Sequence, residues 1–205
     1  MRLFDELNTP SESKILPIDQ YFDEMELPKG EKEERKEFAE SMVDIMLFIF
    51  ALFSIMKEYG YMNKQYIISQ LQVKYSEVVL RYMNIDDEIE KYIQEFSEKI
   101  IDTTSKHSDE EFYLSDDRAV LVSVNESNSI LGYKQLQEAK RKGYTKKTWI
   151  TERDRKVRKT HREVDRMTIP LDAYFLVGNS LMAYPHDLSA EEKETANCRC
   201  TLSYS

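Results

Sequence analysis

Toward the C-terminal end of the chain, His161, Cys198 and Cys200 supply one imidazole and two thiols, groups that bind soft or borderline metal ions and, as thiolates, attack electrophiles. With Asp165 or His186 they would complete a tetrahedral zinc site. The Cys-x-Cys spacing is tighter than that of ordinary zinc knuckles, so the expectation favours no cofactor. It places the same groups in a buried, hydrogen-bonded cluster in which Arg158, His161, Asp165 and Glu126 satisfy one another. Zinc on His161, Cys198 and Cys200 stays as the alternative. Catalytic patterns are weaker. His161-Arg162-Glu163 has the His-x-Glu of zinc deaminases, but the partner Pro-Cys-x-x-Cys is missing. No separate base and orienting residue can be assigned to Cys198, and there is no glycine-rich phosphate loop. No catalytic residue is assigned, and the chain reads as a non-enzyme.

A second chemistry lies in charge. The formal net charge is −9, yet Lys140 to Arg166 holds 12 Lys or Arg against four acids, so that segment is +8 and the remainder −17. Lys142, Lys146, Lys147, Arg155, Lys156 and Lys159 are the candidates for contact with phosphate backbone or an acidic protein surface, with Tyr144 and Trp149 as stacking groups. The same charges could equally pair with the protein's own acids or simply meet solvent. Trp149 alternates with Thr148 and Ile150 and reads first as a core anchor.

The elements that must position these groups follow from periodicity. At 205 residues, with 41% hydrophobic residues, five Gly and five Pro, the chain can bury a core and has too few turn residues for an all-β protein. Residues 1–30 show no sustained period and read as an extended arm. From Glu31 a helix carries Phe38, Met42, Met46, Ile49, Phe50 and Phe53. Its run Ile45 to Met56 is apolar all round, which suits a helical core or a docked subunit and is too short for a bilayer. No signal peptide or membrane anchor is expected. Further helices are predicted from Asn63 to Met83 and, capped by Asp86, to Thr103. The polar stretch Thr103 to Glu111 is a candidate hinge, with a boundary near 108. Beyond it, Ser115 caps a long helix ending at Gly143, with a kink expected near Asn128 or Gly132. Strand-like residues follow at 147–151, then a short basic helix from Asp154 to Val164. Short strands are expected near 167–170, 180–183 and 200–203, and Ser189-Ala190-Glu191-Glu192 has the form of a capping box. The fold expected is α+β: an arm over 1–30, a helical region over 31–107, and a compact domain over 108–205 whose helices flank a small antiparallel sheet. Two cysteines this close in sequence do not form a structural disulfide, which fits a reducing compartment.

From Leu114 to Cys200 the order of landmarks resembles the Mu F-like phage head morphogenesis family. Asp117-Arg118-Ala119 and Asn125-Glu126 resemble its first helix, with Asn125 where Thr is usual. Gly143 and Lys147-Thr148-Trp149 resemble its glycine and Lys-x-Trp strand. Asp154, Val157-Arg158, His161 and Asp165 match its Asp-x-x-Val-Arg-x-x-His-x-x-x-Asp signature. The chain departs at Arg166, where the family places Gly, so the turn there is expected to differ. Pro170 to Phe175, Gly178, Pro185-His186-Asp187 and Asn197-Cys198-Arg199-Cys200 complete the pattern. The resemblance implies a minor capsid protein of a phage or prophage, associated with the portal and other capsid components. It would act in head assembly or genome delivery, in the virion interior and, during assembly, the host cytoplasm, with contact to packaged DNA possible and no membrane. Arg118, Glu126, Trp149, Arg158, His161, Asp165, Asn197, Cys198, Arg199 and Cys200 would form the structural centre of the motif. The rival reading is a phage-borne effector, a nuclease or an ADP-ribosyltransferase-like toxin, with Glu126 and His161 as its test residues.

Overall fold

A computed structural model describes residues 16–205, so the first half of the expected arm lies outside the described residues. The second half departs from expectation. Ile18–Asp23 forms helix α1, entered through Pro17, whose fixed φ suits a helix start, and it buries Tyr21 and Phe22. Helices α2 (Lys29–Glu58), α3 (Lys64–Val79) and α4 (Asp87–Lys106) come next, then a 3-10 turn (Glu111–Leu114) and helix α5 (Asp116–Arg141). Strand β1 (Lys146–Ile150), a single helical turn α6 (Lys159–Arg162), strands β2 (Thr168–Pro170), β3 (Phe175–Val177) and β4 (Ser180–Met182), the turn α7 (Glu192–Thr195) and strand β5 (Thr201–Tyr204) complete the order. The fold is α+β.

The chain divides into two compact units, one made of residues up to 36 together with 124–205, the other of 37–123. The divisions therefore fall inside α2 and α5, and not at the polar stretch near 108. That stretch is tied down by Lys57, whose ammonium donates to the Ser108 carbonyl at 2.9 Å and pairs with the Asp109 carboxylate at 2.6 Å.

The unit of residues 37–123 is helical, and its helices start where the sequence places their caps. Asn63 accepts a hydrogen bond from the Tyr66 amide at 3.0 Å, and Asp86 accepts one from Ile89 at 2.9 Å. The apolar stripe of α2 buries Phe38, Met42, Met46, Ile49 and Phe53, with Phe38 edge-on to Tyr75 of α3. Phe48 and Ile55 of the same helix remain on the surface. The expectation that the apolar run is too short for a bilayer needs correction on length alone. An 18-residue window of α2 is apolar and long enough to cross a membrane by composition, although 44% of that window is buried inside the protein.

The other unit holds two antiparallel sheets where one was expected: a three-stranded sheet in the order β2-β1-β5, and the hairpin β3-β4. Strand β3, which the sequence did not suggest, buries Phe175 and Val177 and exposes Leu176. Trp149 of β1 is fully buried with Val164, Phe175, Val177, Met182, Cys198 and Cys200, the largest apolar contribution to this small core. Helix α5 is continuous through Asn128 and Gly132. It stops at Gly143, whose φ of +78° lets Tyr144 reach back to the Ala139 carbonyl at 3.1 Å. The basic helix expected from Asp154 to Val164 shrinks to α6, because the Asp154 carboxylate accepts from the amides of Lys156 and Val157 and bends the chain into a turn. The Ser189 hydroxyl donates to Asp187 at 2.7 Å, and the helical turn begins at Glu192.

Candidate functional site

Within the strand-bearing unit, α6 presents His161 to the segment that leads into β5. The His161 Nδ1 lies 3.4 Å from Cys200 Sγ and 3.5 Å from Cys198 Sγ, and all three side chains are buried. The other ring nitrogen, Nε2, is 3.2 Å from the Glu194 carboxylate, itself only 4% exposed. A carboxylate accepts, so Nε2 carries the hydrogen and Nδ1 turns its lone pair toward the thiols. Trp149 closes one side, its indole edge-on to His161 with ring centroids 5.8 Å apart. Gly178 makes room for Glu194. Its φ is +60°, and a Cβ at that position would collide with the Glu194 carboxylate. Thr160 holds the same carboxylate through a 2.8 Å hydrogen bond.

The thiols are electrostatically unlike. Burial opposes ionisation of Cys198, but the hydrogen bond from Cys200, with His161 and His186 beside it, outweighs it and holds the thiol well below its ordinary range. Cys200 is driven upward, by its hydrogen bond to Cys198 and then by burial. The His161, Cys198 and Cys200 donor atoms all lie within 4.8 Å of one another, a grouping able to hold a metal ion.

A hydrogen-bond chain outside the motif supports the knot. The Cys198 carbonyl accepts from Tyr21 Oη and faces His186 Nε2, each at 2.5 Å. Tyr21 Oη in turn accepts from Asn128 Nδ2 at 3.2 Å, and the Asn128 side-chain oxygen accepts from buried Arg35 at 3.0 Å. Burial lowers the Arg35 pKa, against the pull of Glu31 and Tyr21. Sequence reasoning missed Tyr21, Arg35, Asn128 and Glu194. The first three join segments more than ninety residues apart, and only Glu194 carried a local hint, a carboxylate close to the Asn-Cys-Arg-Cys run.

The remaining motif residues are dispersed. Arg158 donates to the Ala196 carbonyl, and the Asn197 amide donates to Asn125 Oδ1 at 2.9 Å, so the Asn found where Thr was expected has a definite partner. Arg199 points away from the thiols and bridges Asp154 at 2.5 Å and Glu24 at 3.3 Å. Asp165 does not join His161. It accepts from the Thr151 amide at 2.9 Å and from Arg153 at 3.0 Å, so neither the four-residue cluster nor a zinc site using Asp165 is formed. Glu126 is buried on α5. Arg118 belongs to the helical unit, where it donates to Thr104 Oγ1 at 2.7 Å and the Tyr113 carbonyl at 2.6 Å. Arg166 takes a φ of +61°, the conformation glycine adopts freely, and its amide bonds the Trp149 carbonyl at 2.8 Å.

Of the basic candidates, Lys142, Lys146, Arg155, Lys156 and Lys159 are exposed. Lys156 pairs with Glu24 at 3.0 Å, and Lys142 approaches Glu138 at 3.8 Å. Lys147 is the correction: it is fully buried on the Trp149 face of β1, with its ammonium 5.7 Å from the Phe175 ring, and cannot meet a phosphate. An open cleft of about 550 Å3 lies over Thr151, Arg153, Asp154, Arg155, Arg162 and Asp165. His161 and the cysteines do not line it. They border a cavity of about 20 Å3 instead. Among known proteins, no family model, no curated protein and no solved structure matches the chain.

Proposed function

We propose that the protein is a structural component of a phage or prophage head, a minor capsid protein associated with the portal, and not an enzyme. The observation that carries this reading is the closure of the motif: His161, Cys198 and Cys200 are mutually packed, and the cavity beside them, about 20 Å3, has room for about one water molecule and no substrate. Catalysis by His161 or either cysteine would need that group within reach of a reacting group, in a pocket of at least a few hundred Å3. The effector reading fares poorly on the same ground, since its two test residues, Glu126 and His161, are 6% and 1% exposed.

In this reading the knot stiffens a docking domain, and zinc is the cofactor its donor types would accept. The exposed Lys142, Lys146, Arg155 and Lys159 supply a charged face for packaged DNA or an acidic portal surface. Cryo-electron microscopy of heads from the source phage tests the assignment. Density for this chain at the portal vertex is expected, and purified heads that lack the chain would contradict it.

A further inference from the structure

The spacing objection to a metal site dissolves in the geometry. Cys198 and Cys200 lie just before β5 with both side chains buried, and the Cys200 amide donates to Cys198 Sγ at 3.4 Å, which holds that sulfur against the backbone. A tetrahedral ion with sulfur at about 2.3 Å and nitrogen at about 2.0 Å separates those ligands by about 3.6 Å. The His161 Nδ1 to Sγ distances of 3.4 and 3.5 Å already match that separation.

We infer that His161 Nδ1, Cys198 Sγ and Cys200 Sγ form a binding site for a thiophilic divalent ion of the zinc class, with Glu194 as the carboxylate that orients the imidazole. Two thiolates and one neutral imidazole cancel the dication's charge, so the ion and its three ligands together carry no net charge, whereas a buried thiolate without the ion is uncompensated. Glu194 accepting from Nε2 fixes the tautomer that frees Nδ1, the arrangement by which metal-bound histidines are commonly oriented. The fourth ligand is a water in the small cavity beside His161, Cys198 and Cys200, which has room for about one. Both cysteines bind the ion as thiolates, the protons they still carry pass to solvent, and no redox step is involved. The ion ties α6 to the segment that leads into β5. The inference rests on the closed knot of the proposed function and is independent of where the protein assembles.

The test uses the full chain purified under reducing conditions without chelator. ICP-MS is expected to find one zinc per chain. Cobalt added to the stripped protein is expected to give an intense thiolate-to-cobalt absorption, and Cys200→Ser is expected to lose both signals. Where Cys200→Ser fails to fold, Glu194→Gln gives the second readout: zinc affinity, measured by competition with a chromophoric chelator, falls on the order of tenfold to a hundredfold with the circular dichroism unchanged. Zinc far below one per chain with no cobalt–thiolate band overturns the inference, as does a Cys200→Ser protein that keeps its zinc. If no metal binds while both thiols stay shielded, the ion is lost and the closed knot survives. If no metal binds and both thiols react freely in the native protein, both fall.

Discussion

Arg118 in the helical unit and Lys147 in the strand-bearing unit are both buried without a carboxylate hydrogen bond, and the two side chains meet the problem differently. In the helical unit Arg118 spends one guanidinium nitrogen on two neutral acceptors, Thr104 Oγ1 and the Tyr113 carbonyl, and lays its plane over Phe50 and Tyr113 at 5.1 and 4.9 Å. Burial brings its pKa down to about 10, opposed by Tyr113, so it stays charged at neutral pH. In the strand-bearing unit Lys147 has no hydrogen-bond acceptor at all, only the faces of Phe175 and Tyr174 at 5.7 and 6.0 Å. Burial, with Lys140 adding repulsion, lowers its pKa to about 8. A planar fork can share neutral acceptors and stack on rings. A point-like ammonium cannot, and its burial is left largely uncompensated.

The sharpest way to break this comparison is Arg118→Ala. Removing the side chain strands the Tyr113 carbonyl and opens a void beneath two rings, so a loss of about 3 kcal/mol in urea unfolding is expected. A change within error would mean that the arginine is decoration. Lys147→Met should act in the opposite direction. The folded pKa of about 8 lies below the ordinary 10.5, so the unfolded chain binds more protons between those values, and stability rises as pH climbs through that window. Below pH 8 the penalty is fully present, on the order of 3 kcal/mol. The methionine variant is expected to gain about that much at pH 7 and to lose Lys147's share of the rise toward pH 10.5. A destabilised variant, or an unchanged slope, would show that the ammonium has a partner after all.

The units also differ in how much the sequence discloses. Helices α3 and α4 could be placed from Ile67, Leu71, Tyr75, Ile89, Ile93 and Ile100, because a helix repeats its buried face every three or four residues and its caps are local. The long α5 and strand β1 were legible for the same reason. Much of the remaining unit is set by contacts without a period. Arg153, Arg166, His186 and Asn197 all take positive φ, and all lie there. No propensity assigns that conformation to arginine. Strand β3 is three residues long and too short to alternate visibly. The packing of Tyr21 on the Cys198 carbonyl joins residues 177 positions apart, which left α1 looking like part of an unstructured arm.

The site was half legible. Residue type brought His161, Cys198 and Cys200 to notice, and the three do meet. Asp165 shared their motif but belongs to Thr151 and Arg153, because motif order records proximity in sequence and not the partner each carboxylate finds. Glu194 was overlooked for the converse reason. It lies in a turn that read as ordinary helix capping, and only the approach permitted by Gly178 brings it to the imidazole.

Thiol reactivity measures the closed knot most directly. In the native protein at neutral pH, Cys198 and Cys200, 2% and 5% exposed, should resist an aromatic disulfide reagent, and both should be released together at the denaturant concentration that unfolds the chain. Labelling of either thiol in the native state, at the rate of an unhindered cysteine and well below that transition, would contradict the account.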